Sequence, residues 1–187
     1  MDQAVARKSR DRVRTMANIL AAAEDAFSEL GYSQAGIRDI ASRAGITSPM
    51  LLHYFGSKIG LFEAALIEAM SNRTYLDVPR SEFGKNLMSF FSNPDVEIRP
   101  PAMIVLSTGD AEARGVTARI ADEHAVMPLA EWLGPPDAYV RAIQITMLAL
   151  SYVLFTRQVR LVPLGSDADT KLGQWMAETI QQIVDQV

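Results

Sequence analysis

Residues 37–58, IRDIASRAGITSPMLLHYFGSK, constrain this chain more tightly than any other stretch. Ile37, Ile40, Ala41 and Ala44 recur at i, i+3, i+4 and i+7, which is one apolar face of a helix. Gly45 interrupts that face where the chain must turn, because glycine reaches positive φ without steric cost. Ile46 can plug the corner. Thr47 and Ser48 are N-cap residue types, and Pro49 suits the first helical position, where a missing N–H costs nothing. Leu51, Leu52 and Phe55 give the second helix an inner face and leave Met50, His53 and Tyr54 nearer its outer face. Ala41 lets two helices approach, Gly45 turns the chain, and Leu51 packs back on the first helix. This is the pattern of a helix-turn-helix unit, whose second helix is expected in the major groove of DNA. An ordinary helical hairpin in an all-helical core would show the same spacing.

Composition bounds the alternatives. The chain has 187 residues and no cysteine, which excludes a disulfide framework and thiolate metal sites and fits a reducing cytoplasm. Its start is polar and charged and lacks the apolar run of a secretion signal, so a cytoplasmic location is expected. The longest apolar run, residues 142–155, is broken by Gln144, Thr146 and Ser151. It reads as too short for a bilayer, and no membrane partner is expected. The net charge of −4 is unevenly spread: residues 1–60 carry eight Lys and Arg against six Asp and Glu, and the remainder ten against sixteen. Arg7, Lys8, Arg10, Arg12 and Arg14 face only Asp11 in sequence. Such a basic arm ahead of a helix-turn-helix can track phosphates, or it can be a solvated, frayed terminus.

Taken in order, residues 1–9 read as frayed. A helix follows from about Arg10 to Leu30, with Val13, Met16, Leu20, Ala23, Phe27 and Leu30 on one face and Gly31 as its stop. The two helices of the motif come next. Ser57 can cap a fourth helix reaching about Arg73, with Leu61, Phe62, Ala65, Leu66, Ala69 and Met70 as its stripe. Further helices are expected over about 77–92, 102–107, 111–133, 137–161 and 167–185, with Pro128 kinking or breaking the third of these. Residues Phe83, Leu87, Phe90 and Phe91 form the apolar side of the first of them, and Leu172, Met176, Ile180, Ile183 and Val184 that of the last. The sequence shows no strand pattern. The fold class expected is all-α, about nine helices, divided into residues 1–56 and 57–187.

GYSQAGIRDIASRAGITSPMLLHYFGSKIGLFEAAL resembles the DNA-binding region of the TetR family of bacterial regulators. The matching pieces are Gly31-Tyr32, Ile40-Ala41, Ala44-Gly45-Ile46-Thr47, Tyr54-Phe55, Ser57-Lys58 and Leu61, and the resemblance covers residues 10–70. It implies a three-helix DNA-binding domain attached to a larger helical domain that dimerises and binds a small effector. The family pattern commonly opens the second helix with threonine, where this chain has Gly36, and favours tyrosine where it has Leu52. Each departure removes a group that can meet the DNA backbone. On this reading Thr47, Ser48, Pro49, Met50 and His53 face the major groove, with Met50 offering apolar contact to a thymine methyl. Thr47, Tyr54 and Lys58 contact phosphates, and Arg38 is a further phosphate candidate.

The helix over 137–161 is apolar around much of its circumference, so it needs cover on every side. A partner subunit packing the last two helices, about 137–161 and 167–185, into a homodimer would supply it. The other reading makes that helix central in the monomer. Phe83, Phe90, Phe91, Met103, Met127, Trp132, Met147 and Phe155 can line an apolar effector pocket, with Arg99, His124 and Tyr152 as its orienting polar groups, although plain core is the alternative for each. His53 and His124 form no metal-ligand pair, so no metal and no cofactor is expected, and no nucleophile or phosphate-loop motif marks an enzyme. The function expected is a TetR-type repressor released from a double-stranded DNA operator by a small-molecule effector. The alternative is a helical ligand- or protein-binding module with degraded operator recognition.

Overall fold

Ile19, Ala22, Ala23, Ala26 and Phe27 are the residues that the first helix buries, and they set the packing of everything before residue 70. Ala23 and Phe27 belong to the expected stripe, Ile19, Ala22 and Ala26 widen it to one side, and Val13 and Leu30 are exposed. Its alanines leave room for a second helix to lie close. In the computed structural model, which describes residues 2–71 and 74–186, that helix α1 runs Asp2–Gln34 with a break at Gly31, where φ is 72°. The backbone is helical from Asp2, ahead of the start expected near Arg10. The side chains of Arg7 and Lys8 lie outside the described residues.

Three short helices follow: α2 (Ile37–Arg43), α3 (Ser48–Phe55) and α4 (Lys58–Ala69). The last buries Leu61, Phe62, Ala65 and Leu66. Phe27 and Phe62 meet edge to face at 5.1 Å, and Tyr32 closes the cluster at 5.3 Å from Phe62. The helix ends at Ala69, short of the expected reach to about Arg73: Met70 and Ser71 are no longer helical, and residues 72 and 73 lie outside the described residues.

The described residues form two compact units. One comprises the chain up to Ala69 together with Ala102–Ala118; the other comprises Met70–Pro101 and the chain from Arg119 onward. The first is larger than residues 1–56 because α4 packs on α1 and because α6 (Pro100–Ser107) places Leu106 against Gly31. A Cβ at Gly31 would lie 2.9 Å from both the Leu106 Cβ and its carbonyl oxygen. Glycine at 31 is therefore required twice, by its φ and by this approach. Ser107 and Thr117 share a buried hydrogen bond of 2.9 Å that ties α6 to α7 (Ala111–Ala121).

In the second unit, α5 begins only at Phe83, since Pro79 and the 3-10 turn Arg80–Glu82 occupy the start of the expected helix. Its buried face is Phe83, Gly84, Leu87 and Met88, with Phe90 and Phe91 half-buried. Helix α10 (Asp167–Val184) crosses α5 so closely at Gly84 that a Cβ there would collide with the Ala177 carbonyl oxygen. Gln181 secures the crossing, accepting from the Gly84 N–H at 3.0 Å and donating to the Arg80 carbonyl at 2.9 Å.

Residues 111–133 stay helical through Pro128. A π turn, Asp122–Val126, joins α7 to α8 (Met127–Leu133), so the proline that would clash with the carbonyl four residues back is accommodated instead of breaking the helix. Counted as rods, with α7 and α8 as one, the described residues make nine helices and no strand. Helix α9 (Ala138–Val153) likewise continues through a π turn, Leu154–Gln158. The resulting Ala138–Gln158 is long and apolar enough, by length and composition, to cross a membrane. Core helices meet the same test of length and composition, and the apolar run 142–155 is the middle of this one. Ala142, Ile145, Tyr152 and Val153 on its inner face belong to the core of the unit.

Two arginines without a sequence signal, Arg141 buried and Arg157 half-buried, hold this unit's helix ends. Arg141 donates to the carbonyls of Pro136, Gln186 and Leu133 at 3.2, 2.6 and 3.3 Å. Arg157 donates to those of Val96, Phe91 and Asn93 at 2.8, 2.9 and 2.7 Å, which satisfies the C-terminus of α5.

Candidate nucleic-acid interface

The corner between α2 and α3 is built by backbone hydrogen bonds that only a glycine at 45 permits. With φ at 70°, Gly45 donates to the Ser42 carbonyl at 3.1 Å, and Ile46 donates to that of Ala41 at 2.9 Å. These two bonds make a Schellman end for α2. Thr47 then caps α3, its hydroxyl accepting from the Met50 N–H at 3.4 Å. The helix starts at Ser48, so Pro49 is its second residue, still within the turn whose N–H groups lack helical partners. Leu51 is buried and fixes α3 on the domain.

The outer face of α3 holds Pro49, Met50, Leu52 and His53, with Ser48, Tyr54 and Phe55 half-buried. Leu52 therefore does not belong to the inner face as expected. At 100° per residue it projects between Ser48 and Pro49, which helical-wheel arithmetic alone could have placed. Met50 and Leu52 are 41% and 39% exposed.

Basic groups surround this face. The Arg12 guanidinium sits 5.8 Å from the centroid of the Tyr54 ring, which brings one residue of the arm beside the recognition helix. Arg38 is exposed on the first turn of α2. Arg43 is held by Glu29 at 2.9 Å and Asp39 at 3.1 Å.

Lys58 is more constrained than its sequence position implied. Its ammonium lies 4.6 Å from the Tyr32 ring centroid and donates to the Ser33 carbonyl at 3.3 Å. Burial lowers its pKa below the ordinary lysine value, and Asp110 opposes that shift. Burial likewise raises the Tyr32 pKa, reinforced by Glu112 and Asp110.

Gly36 precedes α2 with φ −92° and ψ 136°, offers no side-chain cap, and has open space where a Cβ would stand. Helices α3 and α4 meet at 68° across Gly56, whose φ is 74°. Ser57 accepts from the Gly60 N–H at 3.1 Å, as expected of a cap. Gly60 carried no signal in the sequence, yet a Cβ there would collide with the Phe55 carbonyl oxygen.

Of the eleven residues expected at an effector pocket, Phe83 and Tyr152 belong to the core cluster of the second unit, and Phe91 and Trp132 pack against it. Met103 is buried in the first unit, on α6. In the second, Phe83 is buried against Trp132 at 4.7 Å, and Arg80 lies over the Trp132 ring. Phe90 and Phe91 pack together at 5.5 Å. Tyr152 is buried and donates to Asp169 at 2.6 Å; burial and that bond push its pKa far above the ordinary tyrosine value. Met127, Met147 and Phe155 are exposed, and His124 is half-buried on the π turn. An open depression of about 710 Å³ lies between α5 and α10, lined by Lys85, Met88, Ser89, Leu164 and Asp169 among others, and by none of those eleven. The expected lining follows apolar residue type; this depression follows the small residues Gly173 and Ala177 on α10.

Residues 19–65 match the model of the bacterial regulatory proteins of the tetR family, and residues 63–184 that of the tetracyclin repressor-like C-terminal domain. The HTH-type transcriptional activator FasR of Mycolicibacterium smegmatis is 41% identical over 54 residues, which are 29% of this chain and 25% of FasR. The match thus spans about a quarter of that relative's length. A TetR-family regulator of Rhodococcus sp. superposes with a TM-score of 0.76 at 18% identity, covering 92% of this chain and 100% of the other. A TetR-family regulator of Streptomyces coelicolor A3 does so with a TM-score of 0.54 at 23% identity, covering 92% and 95%. These two share the fold.

Proposed function

The chain belongs to the TetR family of bacterial regulatory proteins, and from that premise we propose that it is a homodimeric repressor, released from a double-stranded operator when a small molecule binds. The observation that carries this reading is the outward face of α3: Pro49, Met50, Leu52 and His53 are all exposed on a helix anchored by Leu51. Thr47, Ser48, Pro49, Met50 and His53 enter the major groove, while Arg38, Thr47, Tyr54 and Lys58 meet phosphates. Residues 1–56 are the reading domain and residues 57–187 the dimerising and effector-binding one. The protein works in the cytoplasm, where its operator is.

The dimer forms through α9 and α10. Val140, Met147 and Phe155 on Ala138–Gln158, and Trp175 on α10, are large apolar side chains left exposed. A second copy that covers them places two α3 helices on half-sites about 34–36 Å apart. Effector binding in the second unit, among the half-buried Phe90, Phe91, His124 and Trp132, shifts the population towards dimers whose spacing no longer fits.

Repression is favoured by the match of residues 63–184 to the tetracyclin repressor-like domain. FasR is an activator, but its likeness lies in 54 residues, and the sign of regulation depends on where an operator lies relative to its promoter. The second reading, a helical binding module without operator recognition, is favoured by Gly36, which lacks a cap hydroxyl, and by the engagement of Lys58 with Tyr32 and Ser33.

Fluorescence anisotropy against genomic fragments enriched by selection, with scrambled DNA as control, separates the two. Tight, sequence-dependent binding that saturates at an even number of chains is expected. Equal, weak, salt-sensitive binding to every fragment would leave only the second reading. A promoter fusion carrying the selected site then reads the sign.

A further inference from the structure

The segment from Thr47 to Phe55, TSPMLLHYF, contains no Arg, Lys, Asn, Gln, Asp or Glu. Those are the side chains that read guanine, adenine or cytosine by paired hydrogen bonds in the major groove. The Thr47 hydroxyl accepts the Met50 N–H and can still donate, but a single hydroxyl contact does not distinguish one base from another. What the helix does present is apolar: Met50 and Leu52 flank the Pro49–His53 ridge on opposite sides, each about two-fifths exposed. Neither contributes to the buried core of the domain. The apolar group that the major groove of unmodified DNA offers is the C5 methyl of thymine.

We infer that this protein selects its operator by burying pyrimidine C5 methyl groups against Met50 and Leu52, so that a methylated cytosine substitutes for thymine at the contacted positions. The inference rests on the DNA-binding reading of α3. Hydrogen bonds from His53, Ser48 or Tyr54 add orientation but do not separate thymine from uracil, since both present the same O4 acceptor.

The test uses the full-length protein and the operator recovered by selection. Each thymine of a half-site is replaced in turn by uracil, by cytosine and by 5-methylcytosine, with the partner base adjusted, and affinity is measured for each duplex. At the contacted positions thymine and 5-methylcytosine should bind alike, and uracil and cytosine should each bind about three- to fivefold more weakly per methyl lost. Met50→Ala and Leu52→Ala should each narrow the thymine-to-uracil gap at one position and leave the others as they were. The opposite ranking, with uracil equal to thymine and 5-methylcytosine as poor as cytosine, means hydrogen-bond reading and overturns the inference while leaving the regulator intact. Failure to recover any operator overturns the regulator reading itself.

Discussion

Gly36→Thr tests whether the start of α2 lacks only a hydroxyl. The backbone at 36 is already extended, at φ −92° and ψ 136°, so a β-branched residue adopts it without strain. A Cβ there meets nothing within 4 Å. Two effects should follow from one atom. Replacing glycine at a compatible position lowers the entropy of the unfolded chain, worth about 0.4–1 kcal/mol. Threonine and glycine cap about equally, so the capping bond adds at most a few tenths of a kcal/mol. The melting temperature should therefore rise by roughly 2–4 °C. The same hydroxyl can donate to a phosphate, and a hydrogen bond to a charged group of about 1.4 kcal/mol is tenfold in affinity. Because a neutral donor releases no counterion, the slope of log affinity against log salt should not move. Calorimetry and anisotropy at two salt concentrations read both effects. A lower melting temperature would refute the structural argument. A higher melting temperature with unchanged affinity would mean that position 36 does not face the DNA backbone, and a steeper salt slope would mean that the variant acts by repositioning a basic residue.

Lys58→Ala should weaken binding equally on all sequences and flatten the salt slope by about one; an unchanged slope would assign the ammonium wholly to Tyr32 and Ser33. Tyr152 retains its proton in the folded chain above the pH at which the unfolded chain releases it, so its contribution is complete below about pH 10 and is lost as pH rises past that value. Urea melts at pH 9 and 11 should accordingly show a larger loss for the wild type than for Tyr152→Phe, and equal losses would mean that neither burial nor Asp169 holds the proton on this phenol. Gly84→Ala forces a methyl against the Ala177 carbonyl and should cost about 2–3 kcal/mol in chemical denaturation. A stability within error of the wild type would show that α5 and α10 can move apart at no cost.

What the sequence disclosed was local. Gly31, Gly45 and Gly56 end their helices because positive φ is a property of one residue, and each was legible as a stop. The Schellman end and the Thr47 cap are likewise contained within a few residues. The inner face of α1 was legible at Ala23 and Phe27 but not at Ala22 and Ala26, since burial of an alanine depends on how near α4 comes and not on its own hydrophobicity. Leu52 was misplaced by residue type, since a leucine beside Leu51 reads as core until its angle around α3 is counted. Arg141 and Arg157 could not be found at all: both bond carbonyls distant in sequence, and a carbonyl has no residue code. The close passages at Gly60 and Gly84 are equally silent, because the sequence marks a glycine without naming what lies against it.

The arrangement around α3 also separates holding from reading. The cationic groups, Arg12 beside Tyr54 and Arg38 on α2, stand on neighbouring elements, whereas α3 itself carries no lysine or arginine. Phosphate contacts release counterions and weaken steeply with salt; burial of a methyl group does not. Raising salt should therefore lower affinity for the operator and for its uracil-substituted form by the same factor, leaving their ratio constant. A ratio that collapses towards one at high salt would mean that the discrimination passes through charge after all. Met50 and Leu52 would then be bystanders to a basic residue whose placement depends on the thymine methyl.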